Sequence, residues 1–220
     1  MTLKFAFIVG ALTVAVLSYV ICYSRRDWAW LVGGLAFTVG ADFFLVLHDW
    51  HLPGVAVFCF AHVCYISRAL ELDVKSAWKL FLAVSLAVLI TAYLGVIWVA
   101  VLYAGLFITN IMVNTLWFKK AATLLSEGSV AGLCPAERRG FGGRAPIENK
   151  KTCLPKRNRA LVLTGLLLFS LCDVNVLLFN LPNYINVEIP SWTFYLIWFF
   201  YIPAQVLLAI SAVSFKRTQI

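Results

Sequence analysis

The chain has 220 residues, of which 62% are hydrophobic and only 13% charged, with a mean hydropathy of +0.90 and a formal net charge of +8. Soluble domains are nearer half apolar and a quarter charged, so this composition excludes a single soluble core and points to a chain that crosses a membrane several times. Nothing beyond the charge itself argues for nucleic acid as a partner.

Apolar runs long enough to cross roughly 30 Å of hydrocarbon, at about 1.5 Å per residue, predict seven helices. In chain order they cover approximately residues 3–23, 28–47, 53–70, 77–95, 97–118, 159–180 and 191–213. The first is too long for the apolar region of a signal peptide and lacks a small-x-small cleavage site before Arg25 and Arg26, so it reads as a true span. Pro53 and Pro190 stand at or just before helix starts, where a missing N–H is harmless. The fourth and fifth runs are separated by little more than Gly95. No period-2 stretches recur between turns, so the expected class is an all-α polytopic helix bundle rather than a β-barrel.

Lys and Arg near helix ends are retained on the cytosolic side. With seven spans, 17 of the 18 basic residues fall on one side and only Lys4 on the other. The expected topology therefore has the N-terminus outside and the C-terminus in the cytosol. The long connection, about 119–158, mixes Gly, Pro and charge without periodicity and reads as a flexible cytosolic loop. It serves as a topology determinant and linker, or as an attachment to anionic lipid headgroups. Residues 1–220 form one transmembrane domain around it. Cys22, Cys59, Cys64 and Cys172 lie in spans, where a thiol behaves as a small hydrophobe, while Cys134 and Cys153 lie in the loop, in a reducing compartment. Structural disulfides are not expected.

The informative residues are polar groups inside the apolar runs, because an ionisable side chain in hydrocarbon costs a few kcal/mol and usually faces the bundle interior at a functional site. Asp42 lies about five residues, roughly 7 Å of rise, from the end of the second span, and Asp173 about seven residues, roughly 10 Å, from the end of the sixth. Both helices end on the outer side, so the carboxylates are expected at similar depth, and no Lys or Arg lies centrally in any span to neutralise them. Gly34, Thr38 and Asp42 form an i, i+4, i+8 stripe, and Ser170 precedes Asp173 on its face. His62 and Tyr65 mark the third span, Tyr103, Asn110 and Asn114 the fifth, and Trp198, Tyr201 and Gln205 the seventh. Five polar stripes suggest a shared wet pocket. The bland alternative is that Asn and Gln are interhelical hydrogen-bonding groups and that His62 is a satisfied structural residue.

The stretches "GADFFLV", "FCFAHVCYI", "LLLFSLCDVNVLLF" and "YIPAQVLLA" occur in that order. Together they resemble the YhhN-like lysoplasmalogenase family of membrane hydrolases over roughly residues 28–213. The family pattern is a Gly-Asp helix, a His-x-x-Tyr helix, a Ser-Asp helix and a closing Tyr-x-x-Ala-Gln helix. Asp42, His62, Tyr65, Asp173, Tyr201 and Gln205 occupy its places. Ala41 stands where the family has Gly and Cys172 where it has Ser, and members typically carry eight spans, with one more before residues 3–23.

The resemblance implies hydrolysis of the 1-alkenyl ether of a lysoplasmalogen to a fatty aldehyde and a glycerophospho-alcohol, without a cofactor. Such a vinyl ether is cleaved by protonating its β-carbon and capturing the oxocarbenium ion with water. Two carboxyl groups, one protonated by its low-dielectric surroundings and one ionised, suit that route, as they do in glycosidases. Asp42 and Asp173 are thus the expected acid and charge partner, with His62 orienting water. Tyr65, Tyr103, Asn110, Tyr201 and Gln205 are expected to contact a lysophospholipid substrate, with membrane lipids as the other partners. The expected location is the endoplasmic reticulum membrane in a eukaryote or the cytoplasmic membrane in a bacterium.

Other classes fit less well. Three histidines, His48, His51 and His62, none of them in the last spans, make a poor metal-ligand set, so no metal site is expected. The seventh span has no Lys for a retinal Schiff base. A proton-coupled transporter also uses paired intramembrane Asp residues, but no counterpart to Pro203 appears in the other half of the chain. A non-catalytic seven-helix protein leaves the two Asp residues unexplained.

Overall fold

A computed structural model describes residues 2–22, 24–126, 156–180, 190 and 192–213. Its helices are α1 (Thr2–Leu17), α2 (Arg25–Asp42), α3 (His51–Ala69), α4 (Val74–Leu94), α5 (Val96–Ser126), α6 (Lys156–Asn180) and α7 (Thr193–Ile210). A 3₁₀ turn over Ser18–Ile21 prolongs α1, and a π-helical turn over Phe43–Leu47 prolongs α2. Among the described residues, six helical segments, from Arg25–Leu47 onward, are long and apolar enough to span a membrane. The first, Phe5–Ile21, is apolar but shorter, at about 25 Å of rise. The chain is a polytopic helical membrane bundle.

Helix boundaries follow local chemistry. Ser24 caps α2 by accepting the Asp27 N–H on its hydroxyl. Gly95, at φ 115°, breaks the nearly continuous apolar run between α4 and α5, a conformation that a Cβ disfavours. The expected loop at 119–158 is narrower than its composition suggests. α5 continues through Lys119 and Lys120 to Ser126, and α6 starts at Lys156; the remainder lies outside the described residues. The connection 181–189 lies outside them too.

Neighbouring helices pack in the order α1, α2, α3, α5, α6, α7 and back to α1, closing a ring, while α4 rests outside against α3 and α5. α3 is the inner member: every residue from Ala61 to Ala69 is buried. α4 presents Trp78, Leu82, Leu86 and Leu89 outward, as a lipid-facing helix does.

A polar clasp ties one end of this ring. Buried Arg68 of α3 donates from Nε and Nη2 to the two carboxylate oxygens of Asp27 on α2, at 2.7 and 2.8 Å. Its Nη1 donates to Ser211 Oγ at 2.8 Å, beyond the end of α7. Asn158 of α6 donates to the carbonyls of Ser211 and Val213, at 2.7 and 2.9 Å. Arg25, Arg26, Lys75 and Lys79 lie exposed at this same end, so the bundle has a basic end and an opposite end.

Breaking a buried ion pair by deleting one partner typically costs about 3–5 kcal/mol, because the other charge is stranded. Arg68→Met is therefore expected to lower the thermal unfolding midpoint in mild detergent sharply. Adding Asp27→Leu should recover much of that loss; a double variant less stable than either single one would contradict the pairing.

Candidate active site

The site lies toward the end opposite the clasp, where α2 changes winding. The α-helical ladder stops at Asp42 and the wider π turn begins at Phe43, a departure common near functional sites. Asp49, in the left-handed region at φ 56°, then reverses the chain, and the Trp50 N–H bonds back to the Phe44 carbonyl at 2.9 Å. Gly54 lets α3 come close: a Cβ there would stand 2.5 Å from Leu45 Cγ and 3.3 Å from the Ala41 carbonyl oxygen.

Asp42 and Asp173 share one cavity of about 300 Å³. Each carboxyl receives one phenol from another helix. The Tyr201 hydroxyl, on α7, donates to Asp42 Oδ2, and the Tyr103 hydroxyl, on α5, donates to Asp173 Oδ2 at 2.6 Å. Oδ1 of each Asp has no donor among the described residues. Asp42 is buried and Asp173 is half-buried, facing the cavity from α6. Phe58 and Phe169 form its apolar floor with the Tyr103 ring; each pair of these rings involving Phe58 meets edge to face at 5.9 Å. Trp198 lines the α7 side, its ring perpendicular to that of Tyr201.

The remaining candidates form a second, deeper layer. His62 does not line the cavity but sits behind its floor, 5.1 Å from the Tyr103 ring and 5.0 Å from the Phe107 ring. Asn114 Nδ2 donates to both the carbonyl and the Oδ1 of Asn110, which leaves Asn110 Nδ2 to face His62 Nδ1 at 3.3 Å. That order assigns the His62 proton to Nε2, which has no partner among the described residues. Gln205, one turn past Tyr201, is 2% exposed. Tyr65 packs its ring on α2: a Cβ at Gly34 would lie 2.5 Å from Tyr65 Cε1. The Gly34–Thr38–Asp42 stripe therefore combines a seat for that ring, a Thr38 hydroxyl turned back to the Gly34 carbonyl at 3.0 Å, and the carboxyl itself. Ser170 likewise bonds back to its own helix, at the Leu166 carbonyl.

The structure thus brings Asp42, Asp173, Tyr103, Tyr201 and Trp198 to one cavity and sets His62, Tyr65, Asn110, Asn114 and Gln205 apart from its lining. Sequence reasoning missed Phe58, Phe169 and Cys172 as lining residues, since aromatic and thiol side chains in an apolar run carry no outward sign of facing a cavity. It also missed Asp49 and His51 at the rim, 3.3 Å apart, although both are charged or polar residues just beyond the Asp42 helix.

Because Tyr65 fills the space a side chain at 34 would need, Gly34→Ala is expected to cost about 1–3 kcal/mol as overpacking. The loss should appear in unfolding measurements, and an unchanged midpoint would show that the ring yields freely.

No curated protein and no solved structure matches the chain. The family model described as the YhhN family matches residues 2–212, nearly the whole length, and the chain belongs to the YhhN family.

Proposed function

We propose that the protein is a lysoplasmalogenase-like hydrolase that cleaves the vinyl ether bond of lysoplasmalogens. Family membership supports a membrane protein of this kind, and the observation that carries the reaction is the cavity with two carboxyl groups, each held by a phenol and each with one oxygen that takes no donor among the described residues.

In this reading one carboxylic acid delivers its proton from Oδ1 to the β-carbon of R–CH=CH–O–R′, forming an oxocarbenium ion. The other, ionised, stabilises that cation and accepts a proton from the attacking water. The second carboxyl then gives that proton to the glycerol oxygen as the hemiacetal C–O bond breaks, and the first takes up the hemiacetal hydroxyl proton, giving R–CH2–CHO and HO–R′ and restoring both groups. One water is consumed and no electrons change hands. Tyr103 and Tyr201 fix the carboxyl planes, so the reacting oxygens are positioned in advance. The aromatic floor holds the start of the hydrocarbon chain. His62, behind that floor, acts through the Tyr103 ring rather than on the substrate. The hydrolase operates within an integral membrane, that of the endoplasmic reticulum in a eukaryote or the cytoplasmic membrane in a bacterium.

Asp42→Asn and Asp173→Asn preserve shape and remove the proton chemistry. Each is expected to insert normally and lose at least the roughly 10²-fold in aldehyde release typical of a general acid or base. The double variant should lose much less than the product of the two, because the pair works as a unit. His62→Gln should be milder. Undiminished aldehyde release by either Asp variant would refute the mechanism.

A further inference from the structure

We infer that the cavity takes its lysolipid from the non-cytosolic leaflet, with the polar head resting at the Asp49–His51 rim and the chain leaving sideways past α6. This rests on the hydrolase reading for the identity of the lipid, while the sidedness stands on the bundle itself.

The two ends of the bundle differ in charge. Arg25, Arg26, Arg68, Lys75 and Lys79 lie at the clasp end. Between Phe43 and Pro53, where the rim lies, the charged residue is Asp49, with His48 and His51 beside it and no Lys or Arg. Basic residues mark the cytosolic side, so the rim faces away from the cytosol.

Depth then selects the leaflet. Asp42 precedes Leu47, the end of the π turn, by five residues and Asp173 precedes Asn180 by seven, which is about 7–10 Å of rise. A membrane's headgroup zone adds about 5–7 Å to each face of the hydrocarbon, so the carboxyls sit near the level of the ether bond in a lipid of that leaflet. From the other face, Asp42 lies 17 residues from Arg25, about 26 Å along α2. A lipid in the cytosolic leaflet would have to carry its charged head through most of the hydrocarbon to bring its ether there.

The cavity also reaches the bundle surface on the right side. Val176 and Phe179, one and two turns beyond Asp173, line it and are at the same time 38% and 45% exposed on α6. At about 300 Å³ the cavity is at the small end of ligand pockets and accommodates the reacting part of a lysolipid, with the tail extending past these two residues into the bilayer. The water-soluble glycerophospho product then leaves on the non-cytosolic side, and the aldehyde remains in the membrane.

Full-length protein in sealed vesicles tests this. With Cys22, Cys134, Cys153 and Cys172 replaced by Ala, and in membranes with the cytosolic face outward, an impermeant maleimide is expected to modify Lys75→Cys and spare His48→Cys; the reverse overturns the orientation. Protein reconstituted with the rim outward should cleave lysoplasmalogen added from outside. Protein reconstituted with the rim inward should not, until detergent admits the lipid. Equal cleavage in both orientations, or cleavage only with the rim inward, overturns the leaflet assignment. A saturated 1-alkyl lysolipid, which cannot be cleaved, provides a second readout: added on the rim side it should shield Val46→Cys from the same reagent, and added on the basic side it should not. If detergent-solubilised protein releases no aldehyde, the hydrolase reading fails, and the shielding of Val46→Cys still decides the leaflet.

Discussion

Two carboxyl groups within the apolar spans of one bundle impose the constraint on which the site depends: each needs a hydrogen-bond donor that the surrounding hydrocarbon cannot provide. The donors come from other helices, Tyr201 of α7 to Asp42 of α2 and Tyr103 of α5 to Asp173 of α6. The Tyr201–Asp42 bond joins helices that share little apolar contact, since α2 touches α7 far less than it touches α3, whereas the Tyr103–Asp173 bond ties the ring neighbours α5 and α6. The cavity lies between these two polar pairs.

The clasp has the complementary effect at the other end. Arg68 and Asn158 gather α2, α3, α6 and the close of α7 through six hydrogen bonds. One end is closed by charge-assisted bonds and the other is held open by single phenol bonds. Layered between them are the aromatic floor and the Asn114–Asn110–His62 chain, which satisfies polar atoms within α3 and α5 at a depth the cavity does not reach.

Much of this was legible in the sequence, for physical reasons that also mark where legibility ended. Spans are read from apolar length alone, and the break at Gly95 follows from one residue without a Cβ. Asp42 and Asp173 stand out because a carboxylate in hydrocarbon is rare whatever surrounds it. Which tyrosine reaches which aspartate was not readable, since Tyr65, Tyr103 and Tyr201 all lie on polar stripes and their pairing depends on helix rotation. A stripe also does not record depth: His62 and Asn110 share faces with site residues and end up behind the floor. The helical extension to Ser126 was hidden because charge beyond a span resembles loop composition while still permitting helix.

The partners given to two aspartates on the same helix separate their roles. Asp27 and Asp42 both lie on α2 and both are largely removed from solvent. Asp27 receives a guanidinium through two parallel bonds that engage both of its oxygens. Asp42 receives one neutral phenol, which orients the group, and its second oxygen takes no donor among the described residues. A Lys or Arg in place of Tyr201 would have stabilised the bundle's carboxyl as a fixed anion. A phenol supplies a donor without a fixed counter-charge, as the proton donation proposed above requires. The absence of Lys and Arg from the central parts of the spans is thus a condition of the proposed chemistry.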